Sequence, residues 1–259
     1  MDIVDELESV ESLRATRRQQ VSNYPSLTVV LSTARPKDLS EILIQIEQQT
    51  LPIFSLALGI HGFELESGHN QLIENLEKRS ITVTAEKFAS ELTLGQVLTS
   101  LAEKTKTDYV AKMDDDDIYG PHHLQDLLDT IISKKASVVG RAMNYIYLEG
   151  LDLTVRRFQK LGISAVELWT DWVCGGTILV ESEIARKSGW FGEGKSAVDR
   201  FLLTGVKNNG GKIWRTYGAG YIYRRSVGNH TYATDYAKYL KSSSGQHVGI
   251  WKNEIFGTR

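Results

Sequence analysis

The sequence predicts an α/β fold: a mixed, mainly parallel central sheet flanked by helices, with a short helix at the N-terminus. Three observations predict it. Strand-type apolar runs alternate with amphipathic helical stretches as far as Gly140. The first full repeat of that alternation reads strand, helix, strand, the βαβ unit of a parallel sheet. One later strand ends on four consecutive carboxylates and runs on toward another helical stripe.

The elements follow in order. Residues 2–20 read as a separate polar helix with Ile3, Leu7, Val10 and Leu13 on one side and Arg14, Arg17 and Arg18 at its end. Three roles fit it: packing on the body, pairing with a copy of itself as a homo-oligomer, or linking to a longer parent protein. Leu27–Ser32 is a strand ending in a Thr33-Ala34-Arg35-Pro36 turn, with Asp38 as the expected helix N-cap. Leu39, Ile42, Leu43 and Ile46 line one face of the next helix, which Gln49-Thr50-Leu51-Pro52 breaks. Phe54–Ile60 and Ile81–Thr84 are the second and third strands. A helix through Leu94, Val97, Leu98 and Leu101 leads to the acidic strand end. Ala136–Gly140 is a further strand.

Beyond Gly140 the pattern is less regular. Met143–Leu148 alternates around aromatic residues, and Leu151–Gln159 carries Arg156 and Arg157. Trp169 and Trp172 precede Cys174-Gly175-Gly176-Thr177. Ile178–Val180 is a strand, and Ser182 is the expected N-cap of Glu183–Ser188. A loop rich in glycine and aromatics, Gly189–Gly194, leads to a helix opening at Ala197–Arg200. Lys212–Thr216 and Gly220–Arg225 are the last strands.

Composition excludes several classes. The chain has 259 residues, 41% hydrophobic and 24% charged, which is ordinary globular usage and predicts one large domain with small attachments. A net charge of −2 gives no bulk attraction for nucleic acid. The single cysteine, Cys174, excludes an internal disulfide and a cysteine-built zinc site. No apolar run approaches the ~18 residues of a transmembrane helix. The acidic start does not read as a signal peptide, so a cytoplasmic location is expected.

The chemistry concentrates in Asp108–Pro121. Tyr109, Val110 and Met113 form a strand-type run, Asp114 to Asp117 end it, and Gly120-Pro121 suits a turn into the helix of Leu124, Leu127, Leu128, Ile131 and Ile132. Four adjacent carboxylates repel one another and call for a positive partner. An all-oxygen donor set favours a hard cation, Mg2+ or Mn2+, of the kind that also holds substrate phosphates. Arg35 stands at the carboxyl end of the first strand, where α/β sheets bind ligands, and is a candidate contact to a nucleotide. Arg224, on the last strand, is a candidate partner for phosphate.

This order of parts resembles the family 2 glycosyltransferases of the GT-A (Rossmann-like) fold. Thr28–Pro36 resembles the family's opening strand and turn, Gln48–Pro52 its next turn, and Tyr109–Ile118 its Asp-x-Asp strand end. Gly175–Val180, Gly189–Phe191 and Val198-Asp199 resemble its acceptor-side half. The resemblance spans residues 27–225. It implies a GT-A domain over 23–240, with a nucleotide-binding half at 23–140 and an acceptor-binding half at 141–240. Residues 1–22 are then a helical extension and 241–259 a tail.

What the resemblance implies about activity is metal-dependent, inverting transfer of a sugar from a nucleotide-diphospho-sugar to a glycan or other hydroxyl acceptor, in the family's habit of cell-surface polysaccharide or glycoconjugate synthesis. It assigns Asp114 to the ribose or the metal, Asp116 to the metal, and His230 to the diphosphate and metal. Asp117 is read either as part of that site or as a cap for the following helix. Asp199 is the implied catalytic base, with Glu193 the alternative. The sequence departs from the family in one place. After the second strand, Gly59-Ile60-His61-Gly62 replaces an acidic turn that helps hold the nucleotide. An imidazole does not accept hydrogen bonds as a carboxylate does, so His61 is expected to alter base recognition. That departure also feeds a second reading, a GT-A-like nucleotide-sugar binding module of weak or no activity. A nucleotidyltransferase fits less well, because no glycine- and lysine-rich phosphate loop follows the first strand.

Overall fold

The structure, a computed structural model, describes residues 2–157, 166–226, 236–253 and 255–256. Its centre is an eight-stranded mixed sheet. The strands are β1 (Leu27–Thr33), β2 (Ser55–His61), β3 (Thr82–Phe88), β4 (Tyr109–Lys112), β6 (Val138–Arg141), β9 (Leu168–Trp169), β10 (Leu179–Glu181) and β11 (Ile213–Thr216). They lie in the order β3-β2-β1-β4-β10-β6-β11-β9. β1, β2, β3 and β4 are mutually parallel, and β10 runs antiparallel between β4 and β6. Buried on both faces, β1 reads as the near-continuous apolar run expected of a central parallel strand.

Helices cover both faces. On one side lie α2 (Pro36–Glu47), α3 (Ser67–Lys78) and α5 (His123–Lys134), whose Leu39, Ile42, Leu43, Ile46, Leu76, Leu124, Leu127, Leu128 and Ile131 are buried against the strands. On the other lie α4 (Leu94–Glu103), α6 (Ser182–Lys187) and α7 (Val198–Asn208), through Val97, Leu98, Leu101, Ala185, Leu202, Leu203 and Val206. Burying an aliphatic side chain of this size stabilises by about 1.5–3 kcal/mol.

A second sheet holds β5 (Ile118–Tyr119), β7 (Tyr145–Leu148), β8 (Leu153–Arg157), β12 (Tyr221–Arg225) and β13 (Ser243–Val248), in the order β13-β8-β7-β12-β5. The strand β13 lies in the stretch read from sequence as a tail and pairs antiparallel with β8. A short helix, α8 (Tyr236–Lys241), precedes it, and its Tyr239 packs on this sheet.

The N-terminal helix α1 (Ile3–Arg18) packs on the body. Asp2 caps it through a reciprocal pair with Asp5. Val10 is buried beside Tyr145 and Tyr217, with Ile3, Leu7 and Leu13 around it. Its arginines do more than complement the helix end. Arg14 pairs with Asp126 at 2.8 Å, Arg18 with Asp129 at 3.3 Å, and Arg17 with Glu167. The apolar side available for a second copy is therefore already used within the chain.

Several local expectations are corrected. Asp38 does not cap α2: Arg35 is the N-cap, Pro36 takes the first helical position, and Asp38 pairs with Arg35 at 3.2 Å. Ser182 is inside α6, whose N-cap is Glu181. Pro121 precedes α5, whose N-cap is His122. The helix α3 and the strand β5 are absent from the sequence reading. β3 extends four residues beyond the expected Thr84 because its edge position leaves it half exposed, with a polar continuation Ala85-Glu86-Lys87 that hides the strand.

Candidate active site

The carboxylates at the end of β4 alternate in role. Asp115 is buried and takes hydrogen bonds from Thr33 Oγ1 at 2.6 Å and from the Arg35 guanidinium. Asp117 is buried and accepts from the Tyr221 hydroxyl at 2.6 Å and the Arg224 backbone N–H at 3.0 Å. It caps no helix. Asp114 and Asp116 are the two that keep exposed oxygens, with side chains 33% and 24% accessible. Burial and the charges of Asp116 and Asp114 push the Asp117 carboxyl well above its ordinary range. Burial, then the charge of Asp114, pushes Asp116 up to about 6, even with Arg35 Nη1 at 2.9 Å.

A glycine pair brings the second half of the chain against these acids. Gly175 and Gly176 form a short 3-10 turn after β9. A Cβ on Gly175 would lie 1.8 Å from Asp199 Oδ2, and one on Gly176 would lie 2.7 Å from Asp117 Oδ2 and 2.9 Å from Asp114 Oδ2. Only glycine at both positions permits this approach. The Tyr119 hydroxyl donates to the Gly176 carbonyl at 2.8 Å and accepts from the Asp114 N–H at 2.8 Å, which fixes the turn to the acidic strand end.

Asp199 sits in the first turn of α7. It lies 3.3 Å from Lys112 Nζ. Lys112, the last residue of β4, is 2% exposed and also donates to Asp114 Oδ1 at 2.6 Å and to the Gly175 carbonyl at 3.3 Å. Burial alone would pull this ammonium down, but Asp114 and Asp199 beside it hold it above its ordinary value.

The other sequence candidates separate. Arg35 stands at the acidic strand end, with its guanidinium shared among Asp38, Asp115 and Asp116. Arg224 gives its guanidinium to Glu149 at 2.6 Å and Glu41 at 3.4 Å. His61 closes β2, and its buried Nε2 has no hydrogen-bond partner among the described residues. Glu193 is exposed on the glycine-and-aromatic loop, whose backbone is tied to the start of α4 through Thr93 Oγ1 and Gly95 N–H. Trp190 and Trp214 are core residues, whereas Trp169 and Trp172 are 47% and 45% exposed. His230 lies outside the described residues.

Sequence reasoning missed Lys112, Tyr119 and Tyr221. The signal for Lys112 was present: a single cation inside an otherwise buried apolar strand needs a partner.

Residues 70–187 match the model of glycosyl transferase family 2, a segment that holds β4, the four aspartates and the glycine pair. Over that segment, a little under half of the chain, the sequence is similar to glycosyl transferase family 2. Crystal structures of S. aureus TarS share the GT-A fold of this chain. TarS 1–349 superposes with a TM-score of 0.60 at 14% identity, covering 77% of this chain and 60% of that one. TarS 1–349 in complex with UDP-GlcNAc gives 0.61 at 14% identity, covering 84% and 64%, and its complex with UDP gives 0.59 at 15%, covering 78% and 61%. This chain thus spans less than two thirds of each of these TarS chains. No curated protein matches it. Among the described residues, no helix is long and apolar enough to cross a membrane.

Proposed function

We propose that this chain is a family 2 glycosyltransferase that transfers a sugar from a nucleotide-diphospho-sugar to a hydroxyl acceptor, with inversion at the anomeric carbon. The observation that carries the reading is the approach of Asp199 to the acidic strand end across Gly175 and Gly176. A proton acceptor and a donor-phosphate site then lie side by side, as glycosyl transfer requires. The TarS complexes with UDP and UDP-GlcNAc support a uridine diphosphate sugar as the first donor to try.

In this reading the acceptor hydroxyl loses its proton to Asp199 as its oxygen bonds to the anomeric carbon. The bond from that carbon to the diphosphate oxygen breaks on the opposite face, which inverts the configuration. A carboxylate positioned to take this proton in the transition state contributes about 10²–10⁴-fold.

The donor set also fits a divalent cation. Asp114 and Asp116 are the partly exposed carboxylates at the strand end and offer oxygen donors only. Among the described residues no three His, Cys, Asp or Glu side chains gather as a metal cage. Two carboxylates completed by substrate phosphates suit Mg2+, or the similar Mn2+. When bound there, such an ion would neutralise charge on the departing diphosphate as a Lewis acid.

The test is a donor-hydrolysis and transfer assay over a panel of UDP-, GDP-, CDP- and dTDP-sugars, with and without Mn2+. Cation-dependent release of one nucleoside diphosphate is expected. Tight nucleotide-sugar binding without any turnover would favour the binding-module reading, which the Gly59–Gly62 departure motivates.

A further inference from the structure

We infer that Lys112 is a positioning residue that holds the Asp199 carboxylate in place for proton transfer, by joining three separate elements at one ammonium. This inference rests on the reading of Asp199 as the base. Lys112 Nζ donates two hydrogen bonds and makes one further ion pair. Asp114 Oδ1 lies at 2.6 Å on the acidic strand end, Asp199 Oδ1 at 3.3 Å on α7, and the Gly175 carbonyl at 3.3 Å on the glycine turn. The side chain is 2% exposed, so its donors are directed inward and do not reach a substrate phosphate from solvent.

Asp199 needs such a tether. Its Oδ1 is buried and has no hydrogen-bond partner among the described residues, so the Lys112 ammonium at 3.3 Å meets it as an ion pair. The N-cap of α7 is Ala197 in the left-handed region (φ 59°), with no side-chain cap to fix the helix start. The Gly175 backbone packs against the other carboxylate oxygen, so Asp199 is held by the ammonium on one side and by the glycine turn on the other. A misplacement of about 1 Å in such a base costs on the order of 10²-fold in rate. β4 is locked in register between β1 and β10, so the base is referenced to the rigid centre of the sheet.

The experiment is a double-mutant cycle of Lys112→Met, Asp199→Asn and both together. It follows diphosphate release from the nucleotide-sugar that the wild type turns over fastest, with UDP affinity by calorimetry. Lys112→Met is expected to lower kcat by about 100-fold, as Asp199→Asn does, with KM and UDP affinity within about 3-fold. The double variant should then be no slower than Asp199→Asn, because both lesions remove one function. Multiplied losses in the double variant would overturn the inference, as would a Lys112→Met defect seen mainly in UDP affinity, which would assign Lys112 to Asp114. An Asp199→Asn protein of normal rate would instead overturn the base reading itself. If Lys112→Met fails to fold, Lys112→Arg decides. It keeps the charge but changes the donor geometry. It should bind UDP normally and lose kcat by about 10-fold, and a wild-type kcat would contradict the inference.

Discussion

The hydroxyl of Tyr221 donates a 2.6 Å hydrogen bond to Asp117, from the second sheet to the end of β4. Asp117 is thereby turned away from solvent, which leaves Asp114 and Asp116 to face the site. Tyr221→Phe removes a hydrogen bond to a buried carboxyl group and is expected to cost about 1.5–3 kcal/mol of stability. Urea denaturation measures it, and an unchanged midpoint at equal slope would show that the bond does not hold Asp117.

In the proposed reading, Asp116 is the carboxylate that ligates the cation. Asp116→Ala is expected to leave the fold intact and to abolish the enhancement of nucleotide affinity by Mn2+. Calorimetry with UDP in the presence of Mn2+ or of chelator checks this. Equal Mn2+ enhancement in variant and wild type would remove Asp116 from the cation site.

His61 ends β2 with a buried Nε2 that has no hydrogen-bond partner among the described residues, where a carboxylate is usual in the family that the sequence resembles. If that ring lines the nucleotide pocket, His61→Ala changes the ranking of uridine, guanosine, cytidine and thymidine diphosphates by affinity. An identical ranking in both proteins would mean that this turn does not read the base.

Asp126 joins α1 to the interior through Arg14 and the fully buried Arg141. Burial alone would raise its carboxyl, but the hydrogen bond from Arg14 and the charges of Arg141 and Arg14 hold it down to about 2. A folded-state value below the unfolded value of ~3.9 means that the unfolded chain binds the extra proton. Stability from this group is therefore complete above pH ~4 and is lost as pH falls toward 2. Asp126→Asn should lower Tm at pH 7, and its gap to wild type should narrow across that window. A gap of constant size from pH 7 to pH 2.5 would contradict the assignment.

The βαβ start and the acidic strand end were legible because parallel strands buried on both faces leave continuous apolar runs, and because four adjacent carboxylates at such a run are conspicuous. Asp199 could be named only by resemblance, since nothing local distinguishes a catalytic acid from a helix-start acid. The division of the four aspartates into inward and outward pairs was not legible. It depends on Thr33, Arg35, Tyr221 and the Arg224 backbone, which topology brings from three other strands and turns. The arginines of α1 were read as helix-end charges, and their partners on α5 lie more than a hundred residues away in sequence.

The most direct test of the account is the rate of sugar transfer by Asp199→Asn, measured beside its affinity for UDP. The substitution keeps the shape of the side chain and its contact with Lys112 but removes its ability to take a proton. The account predicts unchanged UDP affinity and folding, with kcat down by at least ~100-fold. Near-normal transfer by Asp199→Asn, above all alongside an inactive Glu193→Gln, would contradict it and move the base to the glycine-and-aromatic loop.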